Sequence, residues 1–442
     1  MHNARDRTYA AALLFVAHVF AYADRQVVNV LLPAFRQSLD LTLVEASLLQ
    51  GLAFSLFFAL AGVPLGRVAD RSNRRNLLAA GLAFWSLATV GCGLSGSFWQ
   101  LFLARMCVGV GEACLIPASA SLLADYYAPD KRGRAVTFVQ TGAPLGSVLA
   151  MVGGGWLLTA LTGADVLGRL GLSLESWQAV FLTLGGPGLI LAVLLLGMKE
   201  PPRRESVASA APDAGGVLLL ISRHPGAFLG LIALHALMAM ENYMLAGWAP
   251  TILMTAHGLS AGAAGSIMGV LMLTCGFGGY VLSGVSSDLL MRWRPRYGRL
   301  LAPGIALPLT MLGFAWLYVA RDVVSATAAL AVALFWGALV SAGAVPTLQP
   351  LVPNHLRGRT IAVLFLITNL VGMGAGPTLV AFVAEQNGGV GRALQQSLAA
   401  VCLVTVGAAL LIWPLLLRAY APARNYEAEE FAAAIPAPQR VS

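Results

Sequence analysis

Asp24, Arg25, Arg105, Glu112 and Glu241 are charged residues set inside apolar stretches long enough to cross a bilayer. Arg105 and Glu112 share one such stretch, Trp99 to Tyr126. At ~100° and ~1.5 Å per residue, their spacing returns nearly to the same helix face about 10 Å further along, so one face presents a cation and then an acid. Each ionisable group at that depth costs roughly 3 kcal/mol or more on insertion scales, so two on one span imply a partner or a pathway. The residue types fit two tasks. Guanidinium forks can hold an anionic phosphate or carboxylate, and an enclosed carboxylate can carry a proton whose affinity depends on what sits beside it.

Long apolar helices must position these groups. The chain has 442 residues, 58% hydrophobic and 11% charged, against ~25% charged for an average soluble domain. A bilayer core of ~30 Å needs about 20 apolar residues per helix, and such runs recur along nearly the whole chain. The sequence predicts an all-α membrane protein with twelve spans at 9–33, 43–66, 76–95, 99–125, 134–158, 177–197, 225–250, 261–286, 299–319, 325–348, 359–383 and 393–417. Asp24 and Arg25 interrupt the first run and no small-residue cleavage site follows, so the first helix is read as retained rather than as a signal peptide.

Most of the 28 basic residues fall in one set of alternate segments, among them Arg67, Arg71, Arg74, Arg75, Lys131, Arg132, Arg204, Arg292, Arg357 and Arg440. The opposite loops hold only Arg36, Arg169, Arg321 and Arg392. The positive-inside rule then places both termini in the cytoplasm, with the bacterial inner membrane as the expected location. The net charge of +8 is spread over short loops facing lipid, with no compact basic domain, so nucleic-acid binding is not expected. Cys92, Cys107, Cys114, Cys275 and Cys402 all lie in apolar spans and imply neither a disulfide framework nor a metal site. His18, His235 and His355 occur singly, without ligand spacing. No cofactor, metal or catalytic residue is expected. Gly258 to Gly262 fits the G-x-S-x-G pattern of a hydrolase elbow, but it joins two membrane helices where the elbow needs a preceding strand.

The chain repeats itself. Asp24 precedes Pro33 by the same interval as Glu241 precedes Pro250. Gly66 and Asp70 recur as Gly284 and Asp288, and Arg132-Gly133-Arg134 recurs as Arg357-Gly358-Arg359. Three landmarks in constant order indicate two pseudo-symmetric six-helix bundles, 1–198 and 225–418. Between them lies a polar, flexible cytoplasmic linker, 199–224, with Pro201-Pro202 and Pro212, and a tail, 419–442, is read as a short helix followed by disorder. Two parallel halves describe a secondary transporter with its site near the midplane between them.

The loop Gly66-Arg67-Val68-Ala69-Asp70-Arg71-Ser72-Asn73-Arg74-Arg75 resembles the signature of the major facilitator superfamily, with Asn73 where glycine is usual. Asparagine tolerates a left-handed backbone better than other residues with a side chain. Tyr22-Ala23-Asp24-Arg25, Gly62 to Arg67, Arg105 with Gly109 to Ala113, and Gly142-Ala143-Pro144-Leu145-Gly146 are similar to the Spinster-like members. That resemblance implies sphingolipid or lysophospholipid substrates, with proton coupling in some members. A rival resemblance, to symporters of organic anions and sugar acids, rests on the same Asp-Arg pair and the Arg and Glu of the fourth helix.

These resemblances and the depths of the charges set the expectations. Rise per residue puts Asp24, Arg105 and Glu241 at one level, with Glu112 two turns deeper than Arg105. Glu112, helped by Asp24, is expected to carry the coupling proton, and Arg25, Arg105 and Glu241 to bind substrate. Static ion pairing is the competing reading, and Asn242 and Tyr243 could simply hydrogen-bond Glu241. The resemblance implies a cytoplasmic gate of Gly66, Asp70, Arg71, Arg74 and Asp288, latched against a helix end in the other half. Pro144 and Pro377, beside the small-residue pairs Gly142–Gly146 and Gly372–Gly376, are expected hinges. The expected partners are a small-molecule or lipid substrate, protons and membrane lipid, with the chain acting as a monomer.

Overall fold

The computed structural model describes residues 4–163, 174–203, 214–353 and 356–433. Arg169, Arg204, Pro212, His355 and Arg440, and the tail beyond residue 433, lie outside the described residues. Among the described residues, twelve helices are long and apolar enough to span a membrane: α1 Arg5–Ser38, α2 Leu43–Arg71, α3 Arg74–Gly93, α4 Phe98–Tyr126, α5 Pro129–Thr162, α6 Ser176–Leu196, α7 Pro225–Thr255, α8 Ala261–Trp293, α9 Gly298–Val319, α10 Val323–Leu351, α11 Arg357–Gln386 and α12 Arg392–Ala423. Short polar caps start several of them. Thr42 and Glu45 form a reciprocal capping box before α2, Ser97 caps α4 and Asp322 caps α10.

The packing repeats with the sequence. α1 packs on α5 as α7 does on α11; α3 packs on α4 and α6 as α9 does on α10 and α12. The halves also meet by one rule, with α5 crossing to α8 and α11 crossing to α2. Where they meet, backbones touch. An added Cβ on Gly265 would lie 2.0 Å from the Met151 carbonyl oxygen, and one on Gly51 would lie 2.0 Å from that of Met373. Trp156 donates to Ser266, the Gly262 amide to Thr159, Ser47 to Thr378 and the Val44 amide to Glu385. All these residues lie at the end remote from the chain termini, here the far end. At the terminal end, an added Cβ on Gly66, Gly133, Gly284 or Gly358 would meet nothing within 4 Å. The space between the halves therefore opens toward the termini.

Two connecting segments carry structure. The linker begins as a strap against the first half, because Arg74 and Arg75 donate to Glu200 and Arg203 donates to the carbonyls of Ala69 and Ser72. It then forms a helix, Ala214–Arg223. The last helix runs unbroken to Ala433, since nothing in its Ala- and Glu-rich stretch stops it before then.

Candidate functional site

Several spans are interrupted where the charges sit. α2 breaks at Gly51, α4 at Ala113 directly after Glu112, and α11 holds a π-turn at Leu370–Ala375. These breaks bring α1, α2 and α4 together around one cation. Arg25 Nε donates to Glu112 Oε2 at 2.7 Å, with the Arg25 side chain 11% exposed and that of Glu112 fully enclosed. The guanidinium carbon of Arg25 stands 4.8, 4.7 and 4.6 Å from the ring centres of Tyr22, Phe54 and Phe58. Each desolvated cation–π contact contributes about 0.5–2 kcal/mol, so the rings hold the charge in place.

Arg105 lies behind this shell. It donates to the Asp24 carbonyl at 3.3 Å and stands 5.5 Å from the Phe54 ring, which confirms that the two residues share a level. Asp24 accepts from Thr89 of α3 at 3.0 Å. Asp24 Oδ1, Glu112 Oε1 and Arg105 Nε and Nη2 are buried without a hydrogen-bond partner. Buried polar atoms are nearly always paired, yet four unpaired ones gather in this one cluster. Beyond Arg25, Gln26, Asn29 and Gln50 chain to the carbonyl of Gly247, closing the space toward the far end.

Two expected binding residues do not line this space. Arg105 is 1% exposed, with Phe54 packed against its guanidinium. Glu241 is also 1% exposed and packs against Gly337 of α10, where an added Cβ would lie 2.8 Å from Oε2. Angle around α7 decides which residue faces Arg25. Tyr243, ~200° further round the helix, takes the face toward Arg25 and donates to Asn369 of α11 at 2.8 Å. Phe54, Phe58 and Thr89 do not stand out in the sequence; Tyr22 enters there only as part of a resembling segment and Tyr243 only as a hydrogen-bond partner for Glu241. Tyr22 could be singled out, since it sits one turn before Arg25 on the same face.

Residues 14–377 match the Major Facilitator Superfamily. The chain belongs to this superfamily. As a major facilitator protein it is a transporter and not an enzyme. It is 28% identical to an MFS-type efflux pump of Mycolicibacterium smegmatis, covering 91% of this chain and 92% of that one. It is also 28% identical to a probable L-galactonate transporter of Escherichia coli, over 65% of this chain and 63% of that one. The crystal structure of a bacterial homolog of the human lysosomal transporter Spinster, inward-facing and unoccupied, aligns with a TM-score of 0.81 at 25% identity, covering 97% and 99% of the two chains.

The superfamily's signature loop lies at the terminal end. Gly66 stands in open space, Asp70 and Arg71 are exposed, and so is Asp288 in the other half. Arg74 is different. It is 1% exposed, bound by Asp125, Ser121 Oγ, Glu200 and the Pro201 carbonyl. It anchors the first half and is not free to latch the second. Asn73 has φ −71° and caps α3 by accepting from the Asn76 amide, so no left-handed residue is needed there. Pro144 follows the break at Thr141, and Pro377 follows the π-turn of α11. Lacking an N–H, Pro377 frees the Met373 carbonyl, the atom that meets Gly51. Ser260, of the G-x-S-x-G stretch, caps α8 by accepting from the Ala263 amide.

Proposed function

We propose that this transporter moves an amphipathic anion of the lysophospholipid or sphingolipid kind by alternating access, coupled to protons. The carrying observation is Arg25, an ion-paired cation ringed by Tyr22, Phe54 and Phe58 at the edge of the space between the halves. A phosphate or carboxylate head would meet the guanidinium, and a chain or ring system would lie along the aromatic wall.

Coupling follows from competition for that guanidinium. Glu112 occupies Arg25 Nε while ionised. A proton on Glu112 removes the competing charge and leaves Arg25 to the anion; an anion on Arg25 in turn favours protonated Glu112, so the two ligands bind together. Asp24 and Arg105, enclosed behind the pair, set the local charge. Gly66, Asp70, Arg71 and Asp288 would close the terminal end in the alternate state, with α5 and α11 bending near Pro144 and Pro377. The positive-inside rule makes the terminal end cytoplasmic, in a bacterial inner membrane, with a monomer as the working unit and bundles bounded near 198 and 225.

A second reading, proton-coupled transport of a small sugar acid, is favoured by the similarity to the probable L-galactonate transporter. Uptake into proteoliposomes decides between them: a labelled lysophospholipid against labelled galactonate, each with and without a pH gradient, in wild type and Glu112→Gln. The lipid reading expects lysophospholipid movement that responds to the gradient only with Glu112 present. Galactonate uptake alone overturns the substrate, and a gradient response intact in Glu112→Gln overturns the coupling site.

A further inference from the structure

The second half contains an acid that the Arg25 site does not use. Glu241 is enclosed between α7, α10 and α12, with Oε2 unpartnered. Gly337 of α10 makes its pocket, since a Cβ there would collide with the carboxylate. The titratable group facing it is Cys402 of α12. Its neighbour Tyr243 is turned away to Asn369. Among the described residues, no cation within ion-pair distance faces Glu241 from any of these helices. A lone ionised carboxylate in such a setting is very costly, and the group neutralises instead. The neutral form needs a proton and a way for it to arrive.

The seam between α7 and α10 provides one. His235 sits six residues before Glu241 on α7, about 9 Å nearer the terminal end. Its Nε2 lies 3.5 Å from Thr347 Oγ1, near the terminal end of α10, and its Nδ1 is buried without a partner. Between Thr347 and Gly337, Ser341 Oγ is likewise buried and unpartnered, and α10 breaks at Gly343. His235 against Thr347 and Glu241 against Gly337 thus both bridge α7 and α10, and Ser341 lies between Gly337 and Thr347 on α10.

We propose that Glu241 is a proton-binding site of its own, reached from the terminal end along Thr347, His235 and Ser341. A proton taken up on the His235 imidazole passes inward, so that an N–H bond breaks and an O–H bond forms at Glu241 Oε2. The site is separate from the Arg25–Glu112 pair and holds whichever substrate that pair serves.

Infrared difference spectroscopy of the full chain in phosphatidylcholine liposomes, without substrate, reads this directly through the stretching band of a protonated carboxyl group. One component of the band should appear on lowering the pH in both wild type and Glu112→Gln, and adding Glu241→Gln to the Glu112→Gln protein should remove it. Cys402→Ser, nearly isosteric, should lower its frequency by placing a hydroxyl beside the acid, a readout that survives if Glu241→Gln does not fold. His235→Leu should keep its amplitude but slow its appearance after a pH jump roughly tenfold or more, the scale of a lost proton relay. If that component persists in Glu112→Gln/Glu241→Gln, or is unmoved by Cys402→Ser, the assignment is overturned. A band abolished by sodium chloride but not by choline chloride makes the pocket a sodium site and overturns it equally.

Discussion

Arg74 and Arg105 are both 1% exposed, yet their surroundings differ completely. Arg74 donates through Nε to Glu200, through Nη1 to Ser121 and Asp125, and through Nη2 to the Pro201 carbonyl. Arg105 has one donor on the Asp24 carbonyl and leaves Nε and Nη2 empty. A filled set of partners belongs to a joint, here one that ties α3, α4 and the start of the linker. An unfilled set in the middle of the protein leaves Nε and Nη2 without a bond to hold them. Burial alone does not distinguish the two; completeness of hydrogen bonding does.

The largest effect should come from Arg74→Ala, which strands Asp125 and Glu200 and should lower stability by about 3–5 kcal/mol, seen as a drop in thermal midpoint of the detergent-purified protein. If the midpoint moves no more than for an exposed arginine, Arg74 is not a joint. Next comes the pair at the centre. Arg25→Leu and Glu112→Leu should each destabilise, while the double substitution recovers about 1–3 kcal/mol of their sum, measured as a double-mutant cycle. All three should abolish transport, and additive singles would mean that the 2.7 Å contact carries no coupling. Arg105→Gln should cost only about 1 kcal/mol, because little bonding is lost, and yet stop transport. A stability loss matching that of Arg74→Ala would erase the contrast. The smallest effect belongs to Asp70→Asn at the exposed terminal end: under about 0.5 kcal/mol in stability, with a slower transport cycle. A transport rate equal to wild type removes Asp70 from the gate.

Much of the architecture could be read from the chain because a bilayer imposes length. Twelve apolar runs became twelve helices within a few residues, and the recurrence of Asp70 as Asp288 marked two halves whose packing indeed repeats. Rise per residue also brought Arg105 to Asp24. Angle was harder. Glu241 and Tyr243 share a depth on α7 but face opposite sides, and only the packing of α10 around Gly337 decides which side is which. Arg74 was assigned to the gate because its loop resembles a family signature. Its partners Asp125 and Glu200 are distant in sequence, and nothing local to the loop announces them. The Ala214–Arg223 helix falls where Pro201-Pro202 and Pro212 read as a flexible linker; Val217 and Leu220 bury its apolar face.

The far end has one further consequence. It is shut by carbonyl oxygens lying against Gly51 and Gly265 and by hydrogen bonds in which Glu385 is the one charged member, whereas the open terminal end carries Asp70, Arg71 and Asp288 in water. Dissolved ions screen exposed charges over ~8 Å at physiological ionic strength and leave close-packed backbone untouched. Salt concentration would therefore weigh on one face of the cycle and not the other, giving the transporter an asymmetric dependence on the electrolyte of the compartment its termini occupy.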